Sequence, residues 1–200
     1  MKKLNKVFAT LLIAKMLIST ALAQEPSAEL LGPTNHSLLL IDHEGQMAFA
    51  VGGIDIMLLR NNTALVASGS KIFNVPTVIT TVDEKTFSGP VFSEISDIYP
   101  VATSGYVDRT TMNAWEDAKT FKAITGKGKK KIVMAGLWTS VCVLGPVLSA
   151  IADGYEVYMV TDSCADVSKN AHDMAMQRMI QAGVKPIRGS HNNCAKIYGF

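Results

Sequence analysis

Three side chains have the types and flanking sequence that nucleophilic chemistry requires. Cys142 stands between an apolar run, Lys131 to Ala135, and an apolar helical stretch through Val147, Leu148, Ala150 and Ile151. A thiol at a helix N-terminus faces unpaired N–H groups, which lower its pKa and make it a nucleophile. Buried cysteines also pack inertly, and the local sequence fits both readings. Asp42 ends the wholly apolar run Ser37 to Ile41. Its carboxylate needs a cation, hydrogen bonds or an open crevice, or else it caps the turn at His43-Glu44-Gly45. Arg109 precedes a helical pattern whose start Asn113 can cap. By itself Arg109 reads as a surface residue paired with Asp108.

The elements that must position these residues are legible from periodicity. Ser37 to Asp42 is too short for a helix and too continuous for a half-exposed strand, which predicts a buried parallel strand. Similar runs recur at Thr77 to Thr81, Lys131 to Ala135 and Glu156 to Thr161, with a weaker one near Lys185 to Ile187. Between them lie helical patterns. Ile54 to Phe73 carries Leu58, Leu65, Val66 and Ile72; Ala114 to Ile124 and Val143 to Ala152 follow; Asn170 to Ala182 offers Met174, Met179 and Ile180 as a buried stripe. Alternating strands and helices predict an α/β domain with helices on both faces of a parallel sheet. Reactive groups of such sheets collect beyond the carboxyl ends of the strands, where the strand order reverses. If the strand Lys131 to Ala135 lies beside the first strand, Asp42 and Cys142 meet in one crevice.

Composition narrows the function. The 200 residues are 48% hydrophobic and 18% charged, as in a globular domain and unlike a disordered polar segment. The formal charge of +2 is misleading, because Lys2, Lys3, Lys6 and Lys15 all lie in the first 23 residues, which carry no acid; without that segment the charge is −2. A slightly acidic domain has no footprint for phosphate backbones, which excludes nucleic acid as a partner. The segment itself reads as a secretory signal. Met1 to Lys6 is basic, Val7 to Ala14 apolar, and Ala21-Leu22-Ala23 forms a small-residue cleavage site. It falls short of the ~20 apolar residues of a spanning helix. The expectation is an exported protein, periplasmic or secreted, cleaved after Ala23 and not membrane-associated thereafter. Residues 24–35, with Pro26 and Pro33, read as a linker, and residues 36–200 as a single domain. Three cysteines do not make a disulfide framework, and spacing leaves open whether Cys164 and Cys194 pair.

Several ordered motifs together resemble the isochorismatase-like cysteine hydrolases: Ile41-Asp42-His43, Asp108 to Asp117 (DRTTMNAWED), Ala135 to Val143 (AGLWTSVCV), Val160 to Ser163 and Gln177 to Gly183. The likeness runs from about His36 to Pro186. It implies a three-layer α/β/α fold around a six-stranded, mainly parallel, Rossmann-like sheet. It also implies a catalytic set of Asp42 as general base, Arg109 as the basic residue and Cys142 as nucleophile. A non-proline cis peptide is implied at Leu137–Trp138, with the backbone N–H groups of Trp138 and Cys142 turned toward a developing oxyanion. Asn113 and Trp115, within the same motif, are candidate substrate contacts. Two departures stand out. The basic position is commonly Lys in the wider family, and Arg109 stays protonated, so it orients charge without shuttling protons. Beyond about residue 187 the polar segment to Phe200 does not follow the family, which reads as an atypical or truncated end.

Other sites fail on their residues. The metal-binding branch of this family uses histidines between the first strand and the cysteine, whereas none occurs between His43 and His172. No metal is therefore expected, and the histidines read as packing or surface residues. Gly126-Lys127-Gly128 lacks the rest of a P-loop and reads as a turn; Gly52-Gly53 does not fit dinucleotide spacing. The expected activity is cofactor-independent hydrolysis of a C–N bond in a small amide, ureido or imide-like substrate, in a possible homo-oligomer. The alternatives are isochorismate (vinyl ether) hydrolysis and a non-catalytic thiol-bearing relative.

Overall fold

A computed structural model describes residues 27–189; the expected signal segment, Cys194 and the C-terminal stretch from residue 190 lie outside the described residues. Residues 27–30 form a turn closed by the Leu30 N–H donating to the Ser27 carbonyl, and the domain starts at Leu31. Six strands build the sheet: β1 (His36–Ile41), β2 (Thr77–Val82), β3 (Val107–Arg109), β4 (Lys131–Gly136), β5 (Glu156–Val160) and β6 (Lys185–Ile187). Every pairing is parallel and the spatial order is β3-β2-β1-β4-β5-β6. All six residues of β1 and all six of β4 are buried, as central strands covered on both faces must be.

The helices are α1 (Gly45–Ala48), α2 (Ile56–Ile72), α3 (Ser93–Ser96), α4 (Val101–Ser104), α5 (Ala118–Thr125), α6 (Leu144–Ala152) and α7 (Lys169–Gln181). Side chains close the N-termini of α2, α5 and α7. Asp55 accepts from the Leu58 N–H at 2.9 Å, Asp117 from Thr120 at 2.7 Å and Ser168 from Ala171 at 3.1 Å.

Three expectations are corrected. Val107–Arg109 is an edge strand; three residues, two of them charged, give no apolar run to read. The helix after it starts at Ala118 rather than Ala114, because Asn113 does not cap it. Asn113 Oδ1 instead accepts from the Trp115 N–H at 3.0 Å in a tight turn. The buried faces of two helices also differ. In α2, Leu59, Val66 and Ala67 point inward, while Leu58 and Ile72 are exposed. In α7, Ala175, Met176 and Met179 are buried, whereas Met174 and Ile180 are exposed. The spacing is helical in both cases, but the stripe that the sheet covers is rotated from the most apolar one.

Strand order reverses between β1 and β4, and that reversal generates the crevice. In register, Ile41 lies opposite Gly136. A Cβ on Gly136 would sit 2.6 Å from the Ile41 carbonyl oxygen and 2.9 Å from Val143 Cγ2, so glycine is what lets the two strand ends and the following turn close up.

Candidate active site

Asp42 directly follows β1 and adopts φ 54°, a left-handed conformation that aspartate tolerates better than most residues. Its side chain is wholly buried beside β2 and β3. Arg109 donates to it twice, Nη1 to Oδ1 at 3.1 Å and Nη2 to Oδ2 at 2.7 Å, with neither side chain exposed. Thr80 Oγ adds a third hydrogen bond to Oδ1 at 3.0 Å. The guanidinium also reaches the carbonyls of Thr81 at 3.2 Å and Met112 at 3.4 Å. Arg109 is therefore the buried partner of Asp42, and Asp108 turns instead to the Thr81 hydroxyl at 2.8 Å.

Cys142 lies in a wide helical turn, Thr139–Val143, between β4 and α6. Its thiol is buried close enough to Asp42 for that carboxylate to raise its pKa, and it contacts Met112 Sδ at 3.9 Å. Asp42, Arg109 and Cys142, drawn from the ends of β1, β3 and β4, thus converge. Burial pushes the Asp42 pKa up, opposed by Arg109 and the hydrogen bonds. The Cys142 thiol is pushed up to about 12, by burial first and by the Asp42 charge second. This corrects the expectation of a helix-lowered thiol. The N–H groups that would have lowered it are engaged: Ser140 donates to Asp166 Oδ2 at 2.6 Å, and Val141 and Cys142 each donate to the Trp138 carbonyl at 3.0 Å.

That pattern bears on the anticipated oxyanion donors. The Leu137–Trp138 peptide is cis. The Trp138 N–H bears on the Cys142 sulfur and works to lower its pKa, whereas the Cys142 N–H is already shared with the Trp138 carbonyl. The Trp138 indole donates to the Met47 carbonyl at 3.0 Å, which pins its ring against α1.

Asn113 and Trp115 are placed in structural roles. Trp115 Nε1 donates to Asp153 at 2.8 Å, and its ring packs edge-on against Phe121 and Tyr155. Asp153 lies 11 residues after Cys142, about 16 Å along a helix at 1.5 Å per residue. Asn113 Nδ2 holds Glu116 at 2.9 Å and Ser149 at 3.2 Å, which binds the β3–α5 connection to α6.

Four neighbours carried no clear sequence signal. Glu44 is buried, accepts from the Val82 N–H at 3.0 Å and leaves Oε1 without a partner; burial drives its pKa up to about 9. An acid two residues beyond Asp42, in an apolar setting, was the available hint. Thr80 and Asp166 sit among ordinary polar residues. Met112 was hidden in the motif as one more apolar residue. His43 is buried and held neutral, its pKa lowered to about 4 by desolvation; Nε2 donates to the Ser163 carbonyl at 2.9 Å and ties the end of β1 to the end of β5. Cys164 is a second free, buried thiol, accepting from the Gly136 N–H at 3.4 Å. Among the described residues no group of His, Cys, Asp and Glu is arranged to hold a metal ion.

Known proteins agree with this architecture. The Isochorismatase domain family matches residues 36–190. The probable hydrolase YcaC of Escherichia coli K12 is 34% identical over 150 residues, which cover 74% of this chain and 71% of that protein. The crystal structure of the Escherichia coli YcaC gene product, described as an octameric hydrolase of unknown specificity, superposes with a TM-score of 0.78 at 32% identity, covering 87% of this chain and 84% of that one. YcaC from Pseudomonas aeruginosa, solved with hexane-2,5-diol and covalent acrylamide, gives 0.79 at 29% identity and covers 86% and 85%. With a six-stranded parallel sheet in common, and with sequence matched across nearly the whole domain, this chain belongs to the isochorismatase family of hydrolases.

Proposed function

We propose that the protein is a cysteine hydrolase that cleaves the C–N bond of a small amide, ureido or imide-like substrate. The observation that carries this is a buried Cys142 thiol within the electrostatic reach of an Asp42 carboxylate that two Arg109 donors hold in place. A thiol with so high a pKa is a poor free thiolate, but it needs no thiolate at rest. As Cys142 Sγ bonds to the carbonyl carbon, its proton passes to Asp42, and the carbonyl electrons move onto the oxygen. The Trp138 N–H is the first donor to that oxyanion, and the Cys142 N–H joins it by turning from the Trp138 carbonyl. The C–N bond then breaks, Asp42 returns the proton to the departing nitrogen, and an acyl thioester remains. Water attacks the thioester and gives one proton to Asp42. The S–C bond breaks, and Asp42 reprotonates the sulfur. Arg109 fixes and balances Asp42 throughout without giving up a proton.

A covalent acrylamide in the Pseudomonas aeruginosa relative supports a reactive nucleophile in this family. The test is a panel of small amides, assayed for released amine with Cys142→Ala, Asp42→Asn and the native protein. We expect Cys142→Ala to lose turnover and Asp42→Asn to lose about 10²-fold or more, as removal of a general base does. Trapped acyl adducts should map to Cys142. Full activity in Cys142→Ala would refute the reading.

Two properties of the chain as a whole are proposed on other grounds. The octameric Escherichia coli relative supports a homo-oligomer. The basic, apolar and small-residue blocks of residues 1–23 support export, which predicts a mature protein whose mass begins at Gln24.

A further inference from the structure

Beside the turn that carries Cys142 lies a cavity of about 420 Å³, lined by Gln46, Met47, Phe49, Thr86, Phe87 and Trp138 among others. It opens between the segments that follow β1, β2 and β4, at the carboxyl end of the sheet. It adjoins the reacting centre through a single residue. Trp138 forms part of its wall and supplies the carbonyl to which the Cys142 N–H donates. The wall is fixed in place, because the Trp138 indole is bonded to the carbonyl of Met47, another lining residue.

The chemistry of the lining is one-sided. It contains no ionisable side chain. Phe49 and Phe87 are 92% and 52% exposed, so large aromatic faces stand in water with no protein cover. The exposed carboxamide of Gln46 is the uncommitted polar group, since the Thr86 hydroxyl is already bonded to Asp83. No cation is among the residues that line the cavity. Both terminal guanidinium nitrogens of Arg109 are engaged by Asp42 and by the carbonyls of Thr81 and Met112, and the side chain is sealed from solvent. The buried carboxyl groups of Asp42 and Glu44 lie behind the same crevice. A carboxylate or phosphate entering the cavity would lose its hydration and gain no partner.

We propose that this cavity holds the non-reacting half of the substrate, and that this half is uncharged and apolar, of the size of an aromatic ring or a branched alkyl group. Phe49 and Phe87 cover it, and the Gln46 carboxamide meets a neutral polar substituent. The volume falls within the range of small-ligand pockets, and aromatic walls with a few polar groups are their usual lining. This assignment rests on the cysteine-hydrolase reading and narrows it. It argues against dicarboxylate substrates, isochorismate included.

The experiment compares benzamide and isovaleramide with succinamate and acetamide, using the native protein, Phe49→Ala and Phe87→Ala. For the native protein the two neutral apolar amides should exceed the anionic succinamate by about tenfold or more in kcat/KM, as differential contacts of this kind do. Each Phe→Ala change should lower kcat/KM for benzamide and isovaleramide by about fivefold or more while leaving acetamide, too short to reach the cavity, unchanged. A preference for succinamate, or equal losses on all four amides, would overturn the proposal. So would loss of activity accompanied by a change in solution mass, which would make these aromatics contacts between copies. Binding of benzamide to Cys142→Ala, followed by tryptophan fluorescence, separates the two readings. Phe87-dependent binding without turnover by the native protein would leave the subsite standing and remove the reaction. Turnover insensitive to Phe49 and Phe87 would do the reverse.

Discussion

Met112 lies against the Cys142 thiol and itself reaches solvent. The thiol is 1% exposed although it stands at the open end of the sheet, and the Met112 side chain, half exposed, reaches its sulfur. An unbranched thioether moves aside easily, which suits a cover over a nucleophile. Met112→Ala should therefore speed alkylation of Cys142 by iodoacetamide about tenfold at pH 8, with Cys164 unaffected, since removing the cover both opens access and relieves part of the burial that holds the thiol protonated. Peptide mapping by mass spectrometry reads both cysteines at once, and an unchanged Cys142 rate would mean that Met112 is no barrier.

Glu44 acts through its protonation state. Its folded pKa of about 9 exceeds the ordinary 4.5, so between those values the folded protein retains a proton that the unfolded chain has released. Stability contributed by the neutral acid is complete below pH 4.5 and declines as pH rises toward 9. Glu44→Gln keeps the shape and removes that loss. Its melting temperature should exceed the native value at pH 8 by at least the ~2–4 °C that 1 kcal/mol represents in a domain of this size, and match it at pH 5. Calorimetry at the two pH values checks the difference.

At the scale of elements, the site depends on how closely β1 and β4 approach. Gly136→Ala would press a methyl group against the Ile41 carbonyl and Val143, displacing the strand end next to Asp42 and the turn that carries Cys142. Overpacking of this kind costs about 1–3 kcal/mol. Because the displacement falls on Asp42 and Cys142, the pair to which the proposed reaction is assigned, turnover should drop more than stability, which parallel denaturation and amide assays would reveal. The same scale explains what could be read beforehand. Long apolar runs announced β1, β4 and β5, and their crossovers implied that Asp42 and Cys142 would meet. The edge strand β3 was hidden because its residues are paired on one side only and carry Asp108 and Arg109 in place of an apolar signal. Helix faces were misread where exposed Leu58 and Met174 outscored buried Asn62 and Ala175 in apolar character. At the site, the motif pointed to Asp42, Arg109 and Cys142, and the fold brings the three strand ends that carry them together. It gave no view of Asp166 or of the triple use of the Trp138 carbonyl by Val141, Cys142 and Val143, because backbone hydrogen bonds leave no trace in side-chain identity.

At the scale of the whole molecule, the proposed homo-oligomer predicts a light-scattering mass that is a multiple of the single chain and independent of dilution through the micromolar range. A monomer would remove it. Strand order carries a further consequence, which concerns time. β1 acquires β2 as a neighbour after a short crossover, but its other edge stays open until β4 arrives, 95 residues after His36 at Lys131. At the ~5–20 residues per second of synthesis, that edge waits about 5–19 s. The strand left half-paired is the most apolar in the sheet and the one that carries Asp42. The growing chain therefore passes through an interval in which its future centre is a sticky, unfinished edge.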